Sequence, residues 1–337
     1  MLRGHTRAVV SLAALGLVTA AVSHSALTRR DTPRNIILIG WDGVQRDHLK
    51  QMIARREVPN LMALVVNGKL VAIDIARTTD TKAGWTQILT GYEPEVTGVF
   101  NNRRFRPIPL GYTVFERLEE SFGPENIYTA AIIGKLHNLG GAGPSKVPAD
   151  EPEPEAGQED RRWMRPRPGT PIPAEPFYLV KKNLDLYQEG LGDADSVGAR
   201  ALQVLDKHGR ERFFLFVHFE EPDKQGHIYG ENSPEYTDGV KQADKWLGKI
   251  LAKLRGLGIR DETMVYVTSD HGFDEGFRFH FDAPYTFLAA DDRAVMRRGL
   301  REDIAPTILW RFGVEPSSID PPLAGHPLQQ PYTPPTW

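Results

Sequence analysis

The chain of 337 residues contains no cysteine, no internal repeat and no strong charge of either sign. The absence of cysteine excludes disulfides, thiolate metal ligands and thiol nucleophiles. The formal net charge is −3, and no basic tail or dense Lys/Arg stripe is present. Composition and charge patterning therefore predict that no nucleic-acid polymer is among the partners of this protein.

Long apolar runs are also scarce, and the N-terminal one is short for a membrane span. Arg3 and Arg7 precede a largely apolar run of fifteen residues, Ala8–Val22, and small residues follow at Ser23–Ala26. A spanning helix needs about 20 apolar residues. Residues 1–30 are therefore predicted to be a secretory signal peptide, with a retained N-terminal anchor as the alternative. We expect an exported protein, periplasmic or secreted, with no membrane span beyond such an anchor.

Apolar runs of strand length recur along the rest of the chain. Asn35–Trp41 is almost continuously apolar, which is typical of a central strand of a parallel sheet. The other predicted strands are Val71–Ala76, Ile127–Ile133, Phe213–Phe219, Met264–Thr268 and Thr286–Ala290.

Helical patterns separate these strands. Helices are predicted from about Val44, over Ala83–Thr90 with Gly91 as the stop, and around Val240–Leu254, where apolar residues recur at helical spacing. The alternation predicts one α/β domain over residues 31–337, folded as a three-layer α/β/α sandwich around a mostly parallel sheet. Residues 140–176 interrupt the pattern with a Pro/Gly-rich stretch, which we interpret as a surface insertion and a candidate flap.

Acidic and histidine residues lie at or near the ends of the predicted strands. The six candidate metal ligands are Asp42, Asp223, His227, Asp270, His271 and His280. Any one alone could be a turn residue, a helix cap or a structural histidine. Their common position favours a metal site, because the carboxyl ends of parallel strands meet at one edge of the sheet. Mixed carboxylate and imidazole sets suit zinc, with manganese or iron less suited and calcium disfavoured.

The order and local spacing of four motifs resemble the alkaline phosphatase superfamily, in particular its type I phosphodiesterase/nucleotide pyrophosphatase branch. These motifs are Trp41-Asp42-Gly43, Thr81 with Thr90-Gly91, Glu220–Asp223 with Gly226-His227, and Asp270-His271-Gly272. The resemblance implies an alkaline phosphatase-like fold and a covalent phospho-threonine formed by Thr81. It also implies two divalent metals, with zinc favoured, held by two sets of ligands: Asp42, Thr81, Asp270 and His271, and Asp223, His227 and His280.

Thr81 also suits the nucleophile role on physical grounds. It stands at a predicted helix start, whose N–H groups and dipole favour a phosphoryl oxygen, and a neighbouring dication would activate its hydroxyl. An N-cap threonine would occupy the same position, and Thr78, Thr79 and Thr86 are nearby alternatives. Among these, Thr81 has the spacing to Thr90-Gly91 that the family resemblance requires.

A second resemblance links Gly134–Gly140 to the sulfatase motif Gly-Lys-Trp-His-Leu-Gly. It implies that Lys135 and His137 contact substrate oxygens, and a solvated loop is the alternative. Sulfatases carry, at the position of Thr81, a cysteine or serine that becomes formylglycine, which threonine cannot form. Because Lys135 and His137 still favour it, a sulfatase-like or phosphonate hydrolase is the first alternative function. An inactive exported binding protein is the second.

The chain departs from both families just after Thr81. It has Gly84 where the phosphodiesterases are expected to carry an asparagine, and Trp85 where sulfatases carry an arginine. One oxygen of the transition state then lacks a hydrogen-bond donor. We expect Lys82, Lys135 or His137 to supply that donor. The predicted function is a metal-dependent hydrolase of small-molecule phosphate esters.

Overall fold

A computed structural model describes residues 32–146 and 167–332. The predicted signal or anchor segment, residues 1–30, lies outside the described residues, as does the middle of the predicted insertion. Within the described ranges, no helix has the length and apolar character needed to cross a membrane.

The central strand, β1, is Asn35–Trp41, and every one of its residues is buried. Ile37 and Ile39 contribute to the apolar core on one face of the sheet, whereas Ile36 and Leu38 contribute to the core on the other. A strand covered on both faces must be apolar at successive positions, which explains the continuous run in the sequence.

Eight strands form the main sheet. In chain order they are β1, β2 (Lys69–Asp74), β3 (Tyr128–Ile133), β6 (Leu186–Gln188), β7 (Phe213–Phe219), β8 (Thr263–Thr268), β9 (Tyr285–Ala290) and β10 (Gly299–Leu300). Their order across the sheet is β10-β2-β9-β8-β1-β7-β3-β6. Neighbours pair in parallel except at β9, which is antiparallel to both β2 and β8. The prediction of a mostly parallel sheet is confirmed.

Two short strands, β4 (Ser145–Lys146) and β5 (Pro171–Ile172), pair with each other as a separate antiparallel ribbon. They lie within the predicted insertion, on either side of the residues that are not described. The main sheet receives no strand from this segment among the described residues.

Helices cover both faces of the sheet. Those packed on the first core are α1 (Arg46–Ala54), α2 (Pro59–Val66), α6 (Ala194–His208) and α8 (Pro234–Gly256). Those on the second core are α3 (Thr81–Thr90), α5 (Val114–Phe122) and α9 (Ile304–Arg311). The remaining α-helices described are α4 (Pro94–Thr97) and α7 (Glu221–Tyr229). The predicted three-layer α/β/α sandwich is therefore confirmed.

The carboxyl ends of the adjacent parallel strands β7, β1 and β8 lie at one edge of the sheet. Strands β7 and β8 flank β1, with Trp41 opposite Phe219 and Gly40 opposite Thr268. The chain segments after these strands therefore leave the sheet at the same edge. Helix α3 is directed to this edge from the second face, and all ten of its residues are buried.

Candidate active site

The six predicted metal ligands lie together at this edge. Two groups of three have ligand atoms within 4.8 Å of one another: Asp42, Asp223 and His271, and Asp223, His227 and His280. Asp223 belongs to both groups. Asp270 is adjacent, with Oδ2 3.4 Å from His271 Nε2. The second group coincides with one predicted ligand set, whereas the first contains Asp223 in the place where the resemblance implied Asp270.

Asp42 is fully buried, and both of its carboxylate oxygens have partners. Its Oδ1 lies 2.8 Å from Lys135 Nζ. Its Oδ2 lies 2.7 Å from His218 Nε2 and accepts a hydrogen bond of 3.2 Å from Trp85 Nε1. Burial opposes ionisation of this group, but the positive charge of Lys135 and the interactions with His218 together outweigh burial and lower the pKa of Asp42 to about 2. Asp42 is therefore ionised at neutral pH, as a metal ligand would need to be.

Asp223 approaches Asp42 because the turn after β1 contains a glycine. Gly43 has φ of +70°, and a Cβ atom built there would lie 2.8 Å from the Asp223 Cβ. The Tyr236 hydroxyl donates to the Gly43 carbonyl at 2.8 Å and fixes this turn. Burial opposes ionisation of Asp223, but the Lys135 charge and the interactions with His227 and His271 together outweigh burial and hold the pKa of Asp223 well below its usual range.

His271 Nε2 and Asp270 Oδ2 face the same space. The His271 Nδ1–H donates to the Gly272 carbonyl at 2.9 Å, which assigns the tautomer and leaves Nε2 as an acceptor or ligand. Asp270 Oδ1 accepts a hydrogen bond of 3.3 Å from the Gly43 N–H, but its buried Oδ2 has no hydrogen-bond partner in the described ranges. Burial, together with the charge of Asp42, raises the pKa of Asp270 well above its usual range.

The second group is formed by Asp223 and His227 of α7 and by His280 of the loop before β9. The His280 ring stacks on His271 at a centroid distance of 3.8 Å, and its buried Nδ1 has no hydrogen-bond partner among the described residues. Burial lowers the pKa of His280 to about 3, so the ring is neutral. His227 donates from Nδ1 to the Arg278 carbonyl at 2.8 Å, which leaves Nε2 3.3 Å from Asp223 Oδ1. The neutral His280 imidazole and the unpartnered Asp223 Oδ1 fit divalent metals of the zinc type.

Thr81 is the first residue of α3, and Asp80, not Thr81, is the N-cap. The Thr81 side chain is buried, and its Oγ1 lies 3.2 Å from His271 Nε2. The neighbouring hydroxyls are used elsewhere: Thr78 donates to the Asp80 carboxylate and Thr79 to the His280 carbonyl. Of these three threonine hydroxyls, that of Thr81 is the one in contact with a ligand atom on a candidate side chain.

The three predicted substrate contacts have different surroundings. The Lys135 ammonium lies between Asp42 and Asp223, and so is part of the cluster. The buried Lys82 ammonium pairs with Glu175 instead, and burial lowers its pKa despite that partner. His137 is exposed, and the described hydrogen bond at this residue is made by its backbone carbonyl.

Two further polar side chains belong to the site and were missed in the sequence. His218 lies inside the apolar strand β7, and a lone histidine one position before the end of a buried strand was the available signal. Asn102 accepts a hydrogen bond of 3.0 Å from the Lys82 N–H through Oδ1, which places its side chain beside the start of α3. Its position 21 residues after Thr81, in a loop, carried no periodic signal.

Gly84 allows α3 to pack directly against the end of β8. A Cβ atom at position 84 would lie 2.8 Å from the Asp270 Cβ and 2.9 Å from an Arg301 guanidinium nitrogen. Arg301 is itself buried and donates to the carbonyls of Asp270 and Thr78. No side chain fits at position 84 in this arrangement.

Comparisons with known proteins agree with this architecture. The family model described as type I phosphodiesterase/nucleotide pyrophosphatase matches residues 36–309. Mouse bis(5'-adenosyl)-triphosphatase enpp4 is 26% identical over 266 residues, which are 76% of this chain and 50% of that protein. The human protein ENPP4 is 23% identical over 77% of this chain and 51% of its own length. The chain thus spans about half the length of the curated relatives it matches.

Solved structures show the same fold at low sequence identity. The lipoteichoic acid synthase LtaP from Listeria monocytogenes is 15% identical, with a TM-score of 0.58 over 88% of this chain and 76% of that one. Alkaline phosphatase from the Antarctic bacterium TAB5 is 13% identical, with a TM-score of 0.53 over 85% of this chain and 99% of that one. The predicted alkaline phosphatase-like fold is confirmed.

Proposed function

This chain belongs to the type I phosphodiesterase/nucleotide pyrophosphatase family, and on this premise we propose that it is a metal-dependent hydrolase of phosphate esters with Thr81 as nucleophile. The observation that carries the proposal is the contact of 3.2 Å between Thr81 Oγ1 and His271 Nε2, beside two donor groups that share Asp223. A hydroxyl used only as a helix cap would not need to face a cluster of carboxylates and imidazoles.

The donors would hold two divalent metals, with zinc favoured by the mixture of carboxylate and imidazole ligands. Asp42, Asp270, His271 and Thr81 would form one site, and Asp223, His227 and His280 the other. Bound metals would supply positive charge against the transferring phosphoryl group and would lower the pKa of the nucleophilic hydroxyl.

The residues of this chain then perform the following chemistry. Thr81 Oγ1 attacks phosphorus in line, the bond from phosphorus to the leaving oxygen breaks, and a covalent phospho-threonine forms. The hydroxyl proton leaves to solvent as the leaving group departs. Water then attacks the phosphorus, the bond from phosphorus to Thr81 Oγ1 breaks, the phosphate product leaves, and Oγ1 takes up a proton, which restores Thr81. We expect the positive end of the α3 dipole, next to Thr81, to stabilise the developing negative charge on phosphoryl oxygens.

The substrate we propose is a small-molecule phosphate ester. The matched mouse and human relatives are named bis(5'-adenosyl)-triphosphatases, which makes nucleotide esters the first class to test. The sulfatase-like alternative is less supported, because the second donor group of Asp223, His227 and His280 is complete. Export to the periplasm or medium stays a prediction from the N-terminal sequence.

A hydrolysis screen tests the proposal. Purified protein with added zinc is given nitrophenyl phosphate, bis-nitrophenyl phosphate, a phenylphosphonate ester, nitrophenyl sulfate and bis(5'-adenosyl) triphosphate. We expect hydrolysis of phosphate esters by the wild type and by Thr78→Ala, a loss of several orders of magnitude in Thr81→Ala, and partial activity in Thr81→Ser. Turnover of the sulfate ester alone, or equal activity of Thr81→Ala and the wild type, would contradict the proposal.

A further inference from the structure

We propose that Lys135 is an internal cation that makes the two metal centres fill in a fixed order, with the centre at His227 and His280 filled first. This inference rests on the two-metal site of the proposed function. It concerns the order and relative affinity of metal binding, which neither the family nor the donor sets specify.

The carboxylate of Asp42 is fully occupied without a metal. Lys135 Nζ lies 2.8 Å from Oδ1, while His218 Nε2 and Trp85 Nε1 take Oδ2. Of the two Asp42 carboxylate oxygens, Oδ1 is the one that approaches His271 Nε2, at 3.6 Å. A metal held by Asp42 and His271 must therefore use the oxygen that the Lys135 ammonium occupies.

The two carboxylate oxygens of Asp223 have different partners. Lys135 Nζ lies 2.7 Å from Oδ2, whereas Oδ1 faces His227 Nε2 at 3.3 Å. The group of Asp223, His227 and His280 can thus receive a metal on Oδ1 while Lys135 keeps Oδ2. Of the two donor groups, this one does not require the ammonium to move.

Backbone hydrogen bonds hold Lys135 beside the carboxylates of Asp42 and Asp223. Its backbone carbonyl accepts from Gly190 N–H at 3.1 Å, and the preceding Gly134 N–H donates to the His218 carbonyl at 3.0 Å, next to the carboxyl end of β7. Its side chain is 13% exposed and faces the carboxylates of Asp42 and Asp223, which are almost completely buried. An ammonium in this position neutralises the carboxylates of the metal-free protein, which would otherwise repel one another.

Filling the Asp42 centre therefore has a cost that filling the other centre does not have. Lys135 must release Asp42 Oδ1, and its attraction to Asp223 Oδ2 keeps the freed ammonium at the site. There its N–H donors become available to a phosphoryl oxygen. The predicted substrate contact of Lys135 would thus arise only when both centres are filled.

Zinc titration of the full-length, metal-free protein by calorimetry tests this inference. We expect two unequal sites in the wild type, and in both Lys135→Met and Lys135→Gln the weaker site should tighten by at least about tenfold, since a competing cation has been removed. His227→Ala should abolish the tighter site and retain the weaker one. Circular dichroism of each metal-free variant identifies the folded samples, and Lys135→Gln keeps a polar side chain if Lys135→Met does not fold.

Lys82→Met is the matched control, because it removes another buried ammonium close to Thr81 that is paired with Glu175 instead of the candidate ligands. It should leave the ratio of the two zinc affinities unchanged. An unchanged ratio in folded Lys135 variants would overturn the inference while leaving the two-metal site intact. Failure of zinc to bind to the wild type and to every variant would instead refute the proposed function.

Discussion

Gly84 separates two rigid parts of the site, and replacing it by alanine should displace the nucleophile. The added Cβ would lie 2.8 Å from the Asp270 Cβ and 3.1 Å from the Asp270 carbonyl oxygen, closer than such atoms pack. Asp270 cannot yield freely, because Arg301 donates to its carbonyl at 2.9 Å. Helix α3 must therefore move away from β8, carrying Thr81 with it. Overpacking of this kind costs about 1–3 kcal/mol of stability.

The effect on turnover should exceed the effect on stability. Displacement of a reacting group by about 1 Å can reduce the rate by about a hundredfold. We therefore expect Gly84→Ala to lower kcat by about 10- to 100-fold, measured with bis-nitrophenyl phosphate and zinc, while urea unfolding shows a folded protein.

Gly256→Ala is the matched control for this substitution. Gly256 ends α8, and nothing lies within 4 Å of a Cβ built there. Alanine at this position should raise stability by about 0.5–1 kcal/mol and leave kcat unchanged. Wild-type stability together with wild-type turnover in Gly84→Ala would refute the close packing of α3 against Asp270.

Two other substitutions probe buried groups around the site. Burial, with a further contribution from the charge of Glu93, raises the pKa of Glu302 to about 7 from a model-peptide value of 4.5. The folded state thus favours the neutral acid. The stability that the neutral Glu302 carboxyl group contributes is complete below about pH 4.5 and is lost as the pH rises through 7. Glu302→Gln should gain about 1–3 kcal/mol over the wild type between about pH 5 and pH 8 in urea unfolding, and a pH-independent difference would contradict this assignment. His218→Ala removes the imidazole partner of Asp42 Oδ2 and should weaken zinc binding by about 10- to 100-fold in calorimetry. An unchanged zinc affinity would show that Asp42 does not need this hydrogen bond.

The sequence predicted the fold well wherever burial alone determines the pattern. Strand β1 is recognisable because both of its faces are covered, so every position after Asn35 is apolar. The direction of β9 was not predictable in the same way. Its antiparallel pairing with β2 and β8 depends on the loop that connects it to β8, and apolar periodicity carries no information on strand direction.

Element boundaries were less accurate than element identity. Helix α3 begins at Thr81, two residues before the predicted start at Ala83, because Asp80 already has the extended backbone of an N-cap. Strand β2 begins at Lys69, two residues before the predicted Val71, since its first residues are exposed and lack the apolar pattern of a core strand.

The site was predictable to the extent that topology creates it. Asp42 and Asp270 follow neighbouring parallel strands, so their proximity follows from the order of the sheet. The position of Lys135 between two carboxylates was not predictable, because the partners belong to segments after β1 and within α7 and the pairing depends on side-chain direction. His218 was missed because a histidine within an apolar strand looks like a core residue.

Trapping of the covalent intermediate tests the central claim most directly. The zinc-loaded protein is mixed with nitrophenyl phosphate and quenched in acid within milliseconds, and tryptic peptides are sequenced by mass spectrometry. We predict a phosphate group on the peptide Thr78–Lys82, assigned by fragmentation to Thr81 and absent from Thr81→Ala. Phosphate on Thr78, Thr79 or Thr86 instead, or turnover of the ester with no trapped phosphate on any threonine, would contradict the account.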